Sequence, residues 1–137
     1  MIGIVIVTHS HLGDALISAS EFILGHKPEN VVSVSIDLSE NTVDLRKKIA
    51  EGIKKVNKQE GTIILTDMFG GTPSNLSYSF LEEGRIEVLS GVNLPILVKA
   101  VNDRGKMQLG QLAIKLENSG RKSISLASGI LKGNKRS

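Results

Sequence analysis

Two of the three histidines, His9 and His11, follow directly on an apolar, β-branched run, IGIVIVT. A second polar stretch, Asp67-Met68-Phe69-Gly70-Gly71-Thr72-Pro73-Ser74-Asn75, follows another such run, TIILT. An imidazole beside a carboxylate has a defined chemistry. The carboxylate accepts a hydrogen bond from one ring nitrogen, fixes the tautomer and leaves the other nitrogen's lone pair free to attack. It also stabilises positive charge on the ring once that nitrogen is substituted. Gly70-Gly71 permits backbone with φ > 0 and lets a ligand approach the main chain closely. Thr72 reads as an N-cap and Pro73 as the first helical residue. Exposed N–H groups there, with the Thr72 hydroxyl, would form an anion pocket. A nucleophilic His9, an orienting Asp67 and a phosphate cradle at Gly70, Gly71 and Thr72 suit reversible phosphorylation of His9. Each part taken singly has a plainer reading, as a residue ending a strand or a glycine turn capped by Thr-Pro. Phe69 is expected to shield one wall of the crevice. Thr8 and Ser10, which flank His9, are candidate accessory residues. His11 competes with His9 for the nucleophile's role. His9 is favoured because it lies nearer the strand end, with His11 at the helix start as a rim residue. His26 is assigned to a surface loop.

The elements that would bring these residues together are short. Residues 2–8, 31–36, 62–66 and 85–89 read as strands, the first and third as apolar runs buried on both faces. Residues 12–25, 41–58, 73–83, 94–101 and 108–118 read as helices, the last broken by Gly110 or starting after it. Alternation of strand and helix implies an α/β fold, an open, mainly parallel sheet with helices on both faces. Sites in such sheets form beyond the carboxyl ends of the strands, where strand order reverses. In a 2-1-3-4 order that place lies between the first and third strands, which makes His9 and Asp67 neighbours. The pairing depends on that order. A last strand over residues 122–126 alternates Ile124 and Leu126 with Ser123 and Ser125. That pattern suits an antiparallel edge or a subunit interface.

Composition excludes several classes of function. The 137 residues correspond to one domain, expected over residues 1–131, with a short basic tail over 132–137. No apolar run approaches the ~18–20 residues that span a bilayer, and no basic leader precedes the first strand. The absence of cysteine excludes disulfides, thiolate catalysis and cysteine-held metals. Three histidines and scattered carboxylates show no metal cluster, and no cofactor is called for. Lys and Arg number 17 against 14 acids, a net charge of +3. Lys132, Lys135 and Arg136 account for that excess, so the body is neutral. Three Phe, one Tyr and no Trp provide no stacking platform for bases. Nucleic acid is therefore not an expected partner.

The segments IVIVTH (residues 4–9), TDMFGGTPSN (66–75) and SGVNLP (90–95), with a first helix ending Ile23-Leu24-Gly25, resemble the mannose-type IIA component of the bacterial sugar phosphotransferase system. The resemblance covers residues 1–126. It implies a cytoplasmic phosphocarrier that takes phosphate from phospho-HPr onto His9 and passes it to a IIB component. It touches a membrane only indirectly, through a IIC/IID permease. It further implies that Asp67 orients His9 and that Thr72 with the Gly70-Gly71 loop cradles the phosphate. It also implies a homodimer in which the last strand is exchanged into the partner's sheet. Members often carry glycine directly after the active histidine, where this chain has Ser10. No IIB domain is expected on this chain, so the acceptor would be a separate polypeptide.

Other readings of the same architecture fit less well. A flavodoxin-like binder would want a Ser/Thr-rich phosphate loop and flanking aromatic rings. A receiver domain would need acidic residues after the first strand, and none occurs before Asp14. The P-loop and the GxSxG elbow are absent. The related phosphotransferase subunit of dihydroxyacetone kinases also carries a histidine after its first strand, but the GGTP loop is closer to the sugar-system type. A stand-alone regulatory IIA-like protein, whose phosphorylation state controls a partner without sugar transport, would need the same His9 chemistry.

Overall fold

The computed structural model describes residues 1–56 and 59–132. Four strands, β1 (Gly3–His9), β2 (Val31–Ile36), β3 (Thr62–Thr66) and β4 (Ile86–Ser90), form one parallel sheet in the order β2-β1-β3-β4. The predicted order is therefore the observed one. The connecting helices are α1 (Leu12–Leu24), α2 (Thr42–Lys55), α3 (Thr72–Tyr78) and α4 (Leu94–Asp103), followed by α5 (Leu109–Lys122) and α6 (Ala127–Leu131).

Side chains of a strand alternate between faces, and the apolar runs exploit this on both sides. Ile4 and Ile6 of β1, with Ile63 and Leu65 of β3, pack under Ile96, Leu97 and Ala100 of α4 and Leu109, Leu112 and Leu116 of α5. Val5, Val7 and Ile64 point the other way, onto Leu45, Ile49 and Ile53 of α2. Burial on both faces makes β1 and β3 the rigid centre, and both candidate site segments emerge from their carboxyl ends. At the opposite end of the sheet, the buried Arg104 guanidinium donates to the carbonyls of Ile2, Glu29 and Asn30, tying down the entries to β1 and β2.

Several local expectations need correction. α3 ends at Tyr78, not residue 83. Serine hydroxyls bond back to the helix carbonyls, Ser77 to Pro73 and Ser79 to Leu76, and the chain turns into a bridge between Glu82 and Ile86. Gly110 does not break α5. A capping box between Gln108 and Gln111 starts the helix ahead of it. α2 closes at Lys55, and residue 58, to which it was expected to run, lies outside the described residues, as do residues 133–137 of the basic tail. The strand expected over residues 122–126 does not form within this chain. Lys122 closes α5, Ser123 caps it, and the connector leads into α6. The alternation there has a different outcome, since Ile124 and Leu126 are both well exposed.

Candidate functional site

β1 and β3 pair in register, with Val7 opposite Thr66, so the next residues leave the sheet side by side. His9 and Asp67 meet there. The Asp67 Oδ2 accepts from the His9 backbone N–H at 2.8 Å and lies 2.7 Å from its ring Nδ1. The other carboxylate oxygen accepts from the Met68 N–H at 2.9 Å. Burial alone pushes the Asp67 carboxyl up. The hydrogen bonds from the His9 backbone and ring, the His9 charge and the Met68 N–H outweigh it and hold the group below its usual value. An ionised Asp67 accepts and does not donate, so Nδ1 carries the proton, and in the neutral ring Nε2 then holds the lone pair. The Asp67 side chain is 10% exposed and that of His9 37%, which leaves the ring reachable.

The turn after β1 explains the residue next to His9. Ser10 has φ 51, a left-handed conformation that glycine adopts without cost. The surroundings hold it: its N–H donates to the Ile36 carbonyl at 3.2 Å, and Thr8 Oγ1 donates to its carbonyl at 3.4 Å. The fully buried Thr8 also accepts from the Gly13 N–H at 3.0 Å. Both accessory candidates thus shape the β1–α1 turn. His11 is the N-cap residue of α1 and its side chain caps nothing. Its ring is 81% exposed, 3.4 Å from Asp14 and 3.3 Å from Ser35. A cleft of about 540 Å³ separates His9, Ser10 and His11 from Asp37, Leu38 and Lys48.

On the other side of His9 runs the Gly70–Thr72 loop. Gly70 has φ 85, the conformation the double glycine was expected to permit. Gly71 is the N-cap of α3, and Thr72 and Pro73 are its first residues, one position earlier than expected. N–H groups at a helix start have no carbonyl one turn back. The Gly70 N–H is already taken by Ser74 Oγ at 3.1 Å, and Gly71 and Thr72 follow it at the helix start. Phe69 is exposed, its ring tilted against Tyr78 at 6.3 Å between centroids. His26 is exposed after α1, its Nδ1 3.1 Å from the Leu24 carbonyl. Sequence reasoning missed Ser74, whose hydroxyl also donates to the Gly71 carbonyl at 3.0 Å. Its signal was a serine three residues after a loop glycine, the spacing of a hydroxyl that bonds back to its own turn.

Fold and site together define an open-sheet α/β protein whose carboxylate-oriented histidine stands at the switch point of the sheet, beside a glycine-bounded helix start. The EIIA-man family model, described as PTS system fructose IIA component, matches residues 3–117, and the chain belongs to that family. It is 31% identical over 129 residues to the PTS system fructose-specific EIIA component of Bacillus subtilis (strain 168), covering 93% of this chain and 88% of that one. It is also 31% identical over 128 residues to the PTS system mannose-specific EIIAB component of Escherichia coli (strain K12), covering 90% of this chain but only 39% of that longer protein. Among solved structures, phosphotransferase system component EIIA from Streptococcus agalactiae superposes with a TM-score of 0.82 at 32% identity, over 93% of this chain and 98% of that one. No described helix is long and apolar enough to cross a membrane.

Proposed function

We propose that this chain is a histidine phosphocarrier of a sugar phosphotransferase system, accepting phosphate from phospho-HPr on His9 and passing it to a separate IIB component. The observation that carries this is the 2.7 Å contact between His9 Nδ1 and Asp67, which leaves Nε2 as the free ring nitrogen in a member of the EIIA-man family. In the proposed step Nε2 attacks the phosphorus of the donor's phosphohistidine. The donor's P–N bond breaks as the new one forms, and the donor imidazole leaves with its electron pair. His9 becomes a phosphoimidazolium with its Nδ1 proton held by Asp67, whose negative charge balances the ring. The Gly71 and Thr72 amides and the Thr72 hydroxyl receive the phosphoryl oxygens, while Gly70 supplies the turn. Such transfer asks the protein for positioning and charge stabilisation and little else. Transfer to a IIB component runs the step in reverse from the same nitrogen. Residues 1–131 serve as one phosphocarrier domain, in the cytoplasm.

Incubation with phosphoenolpyruvate, enzyme I and HPr tests the reading, with HPr omitted as control. The expected product carries one acid-labile phosphate on His9. An unphosphorylated, folded protein beside fully charged HPr would sink it.

The chain is also proposed to act as a homodimer that exchanges its last segment. Ile124, Leu126, Ile130 and Leu131 are all at least 53% exposed, and β4 is an outer strand of the sheet. Apolar surface of this kind marks an association site, and a strand edge accepts a further strand. Sedimentation equilibrium is expected to give twice the chain mass, and a monomer at micromolar concentration would refute the exchange.

A further inference from the structure

We infer that Ser74 and Gly71 are positioning residues for His9: Ser74 latches the loop, and the bare Cα of Gly71 sets where the imidazole stands. The inference rests on His9 being the phosphoryl acceptor. Ser74 is fully buried in the first turn of α3. Its hydroxyl donates to the Gly71 carbonyl and accepts from the Gly70 N–H, so its one donor hydrogen and one of its lone pairs engage adjacent peptide groups of the loop. Gly71 itself has φ −82 and ψ 169, backbone that any residue adopts. Space is what favours glycine there, because a Cβ would make its neighbours give by a few tenths of an ångström. A Cβ would stand 3.0 Å from His9 Cε1, 3.3 Å from Met68 Cγ and 3.7 Å from His9 Nε2. At Gly70, by contrast, a Cβ would meet nothing within 4 Å, and the positive φ is the whole reason for glycine.

Cε1 lies between the two ring nitrogens. Pressure on it bears at once on the Nδ1 bond to Asp67 and on the direction of the Nε2 lone pair. The ring is thus held at Nδ1 by the Asp67 carboxylate, and its Cε1 edge occupies the space that a side chain at position 71 would press into. Ser74 decides where that backbone lies. In-line transfer depends steeply on such placement, and a shift of about 1 Å can cost on the order of 10²-fold in rate.

The test compares wild type with Ser74→Ala, Ser74→Thr and Gly71→Ala by two readouts. One is ¹⁵N NMR of the His9 ring in the phosphate-free protein, which reports the tautomer without any turnover. The other is the rate of phosphate uptake from phospho-HPr, with circular dichroism as the check on folding. Wild type is expected to show one tautomer, protonated at Nδ1. Ser74→Ala and Gly71→Ala are expected to show mixed tautomers and uptake about tenfold slower or worse. Ser74→Thr, which keeps the hydroxyl, is expected to restore the wild-type ring signals. Unchanged ring signals in both Ser74→Ala and Gly71→Ala would overturn the inference, whether or not uptake slows. Should Ser74→Ala not fold, Gly71→Ala leaves the buried hydroxyl in place and decides the matter alone. Failure of the functional reading shows separately, as wild-type protein that takes no phosphate while the variants' ring signals still shift. That result upholds the ring-setting role and removes only its service to phosphoryl transfer.

Discussion

His9→Ala is expected to take up no detectable phosphate from phospho-HPr, while His11→Ala keeps at least about half of the wild-type rate. The two histidines are two positions apart, yet their surroundings differ in kind. His9 accompanies the end of a strand buried on both faces, and its ring meets a mostly buried carboxylate at 2.7 Å. That geometry holds one tautomer and aims one nitrogen. His11 stands at the mouth of α1 with its ring 81% exposed, and its contacts to Asp14 and Ser35, at 3.4 and 3.3 Å, are long. An exposed ring with long contacts samples several orientations and gains little from a neighbouring carboxylate. Mass spectrometry before and after mild acid treatment reads the result for both variants. Loss of uptake in His11→Ala, beside normal uptake in His9→Ala, would reverse the assignment.

The second large effect is expected at Asp67. Asp67→Asn should slow phosphate uptake by about 10²-fold or more while leaving the circular dichroism spectrum unchanged. The substitution keeps the shape of the side chain but removes its charge. Asparagine offers one accepting oxygen where the carboxylate serves the His9 N–H, the His9 ring and the Met68 N–H with two. Its amide presents hydrogens to a donor and so weakens the hold on the Nδ1–H tautomer. The phosphoimidazolium would also lose its counter-charge. The same substitution carries a pH signature. The Asp67 carboxyl is held below its ordinary value of 3.8, so the folded protein favours the ionised form more than the unfolded chain does. A depressed carboxyl contributes stability that is fully present above about pH 4 and is lost as pH falls through the folded value. The stability gap between wild type and Asp67→Asn is therefore expected to be level near neutrality and to narrow below pH 4. Chemical denaturation across that range measures it, and a gap that widens on acidification would contradict the role assigned to the carboxylate.

Much of this site could be read from residue order alone. Two β-branched runs whose only polar residues are terminal threonines read as central strands of a parallel sheet, and a parallel sheet built through helices places the residues after its strands at one edge. With a 2-1-3-4 order added to those two constraints, His9 and Asp67 become neighbours, and that is the order of the sheet. Gly70 was legible for a related reason, since the turn needs a positive φ that glycine supplies. The end of α3 was less legible. Residues 79–83 have no residue that forbids a helix, and the turn there arises because serine hydroxyls compete for the helix carbonyls. The segment over residues 122–126 shows the opposite failure. Its alternation is a genuine strand pattern, but a strand needs an edge to pair with, and within one chain α5 runs through Lys122 instead.

What the residues dictate on their own is the part that depends on period and chirality: the α/β class, the parallel sheet, and a histidine and an aspartate that leave the ends of two strands. These follow from local pattern because burial on both faces and right-handed crossover leave few alternatives. The order β2-β1-β3-β4, which sets those two strands side by side, comes from the tertiary structure. The three-dimensional packing settles what pattern cannot encode. It places the Asp67 oxygens on specific donors, commits the Gly70 amide to Ser74, and sets Gly71 so near the His9 ring that an added Cβ would stand 3.0 Å from Cε1. Such contacts join atoms from separate segments at ångström distances, and hydrogen bonding and steric fit fall off over less than the width of one side chain. No periodicity along the chain carries information at that scale.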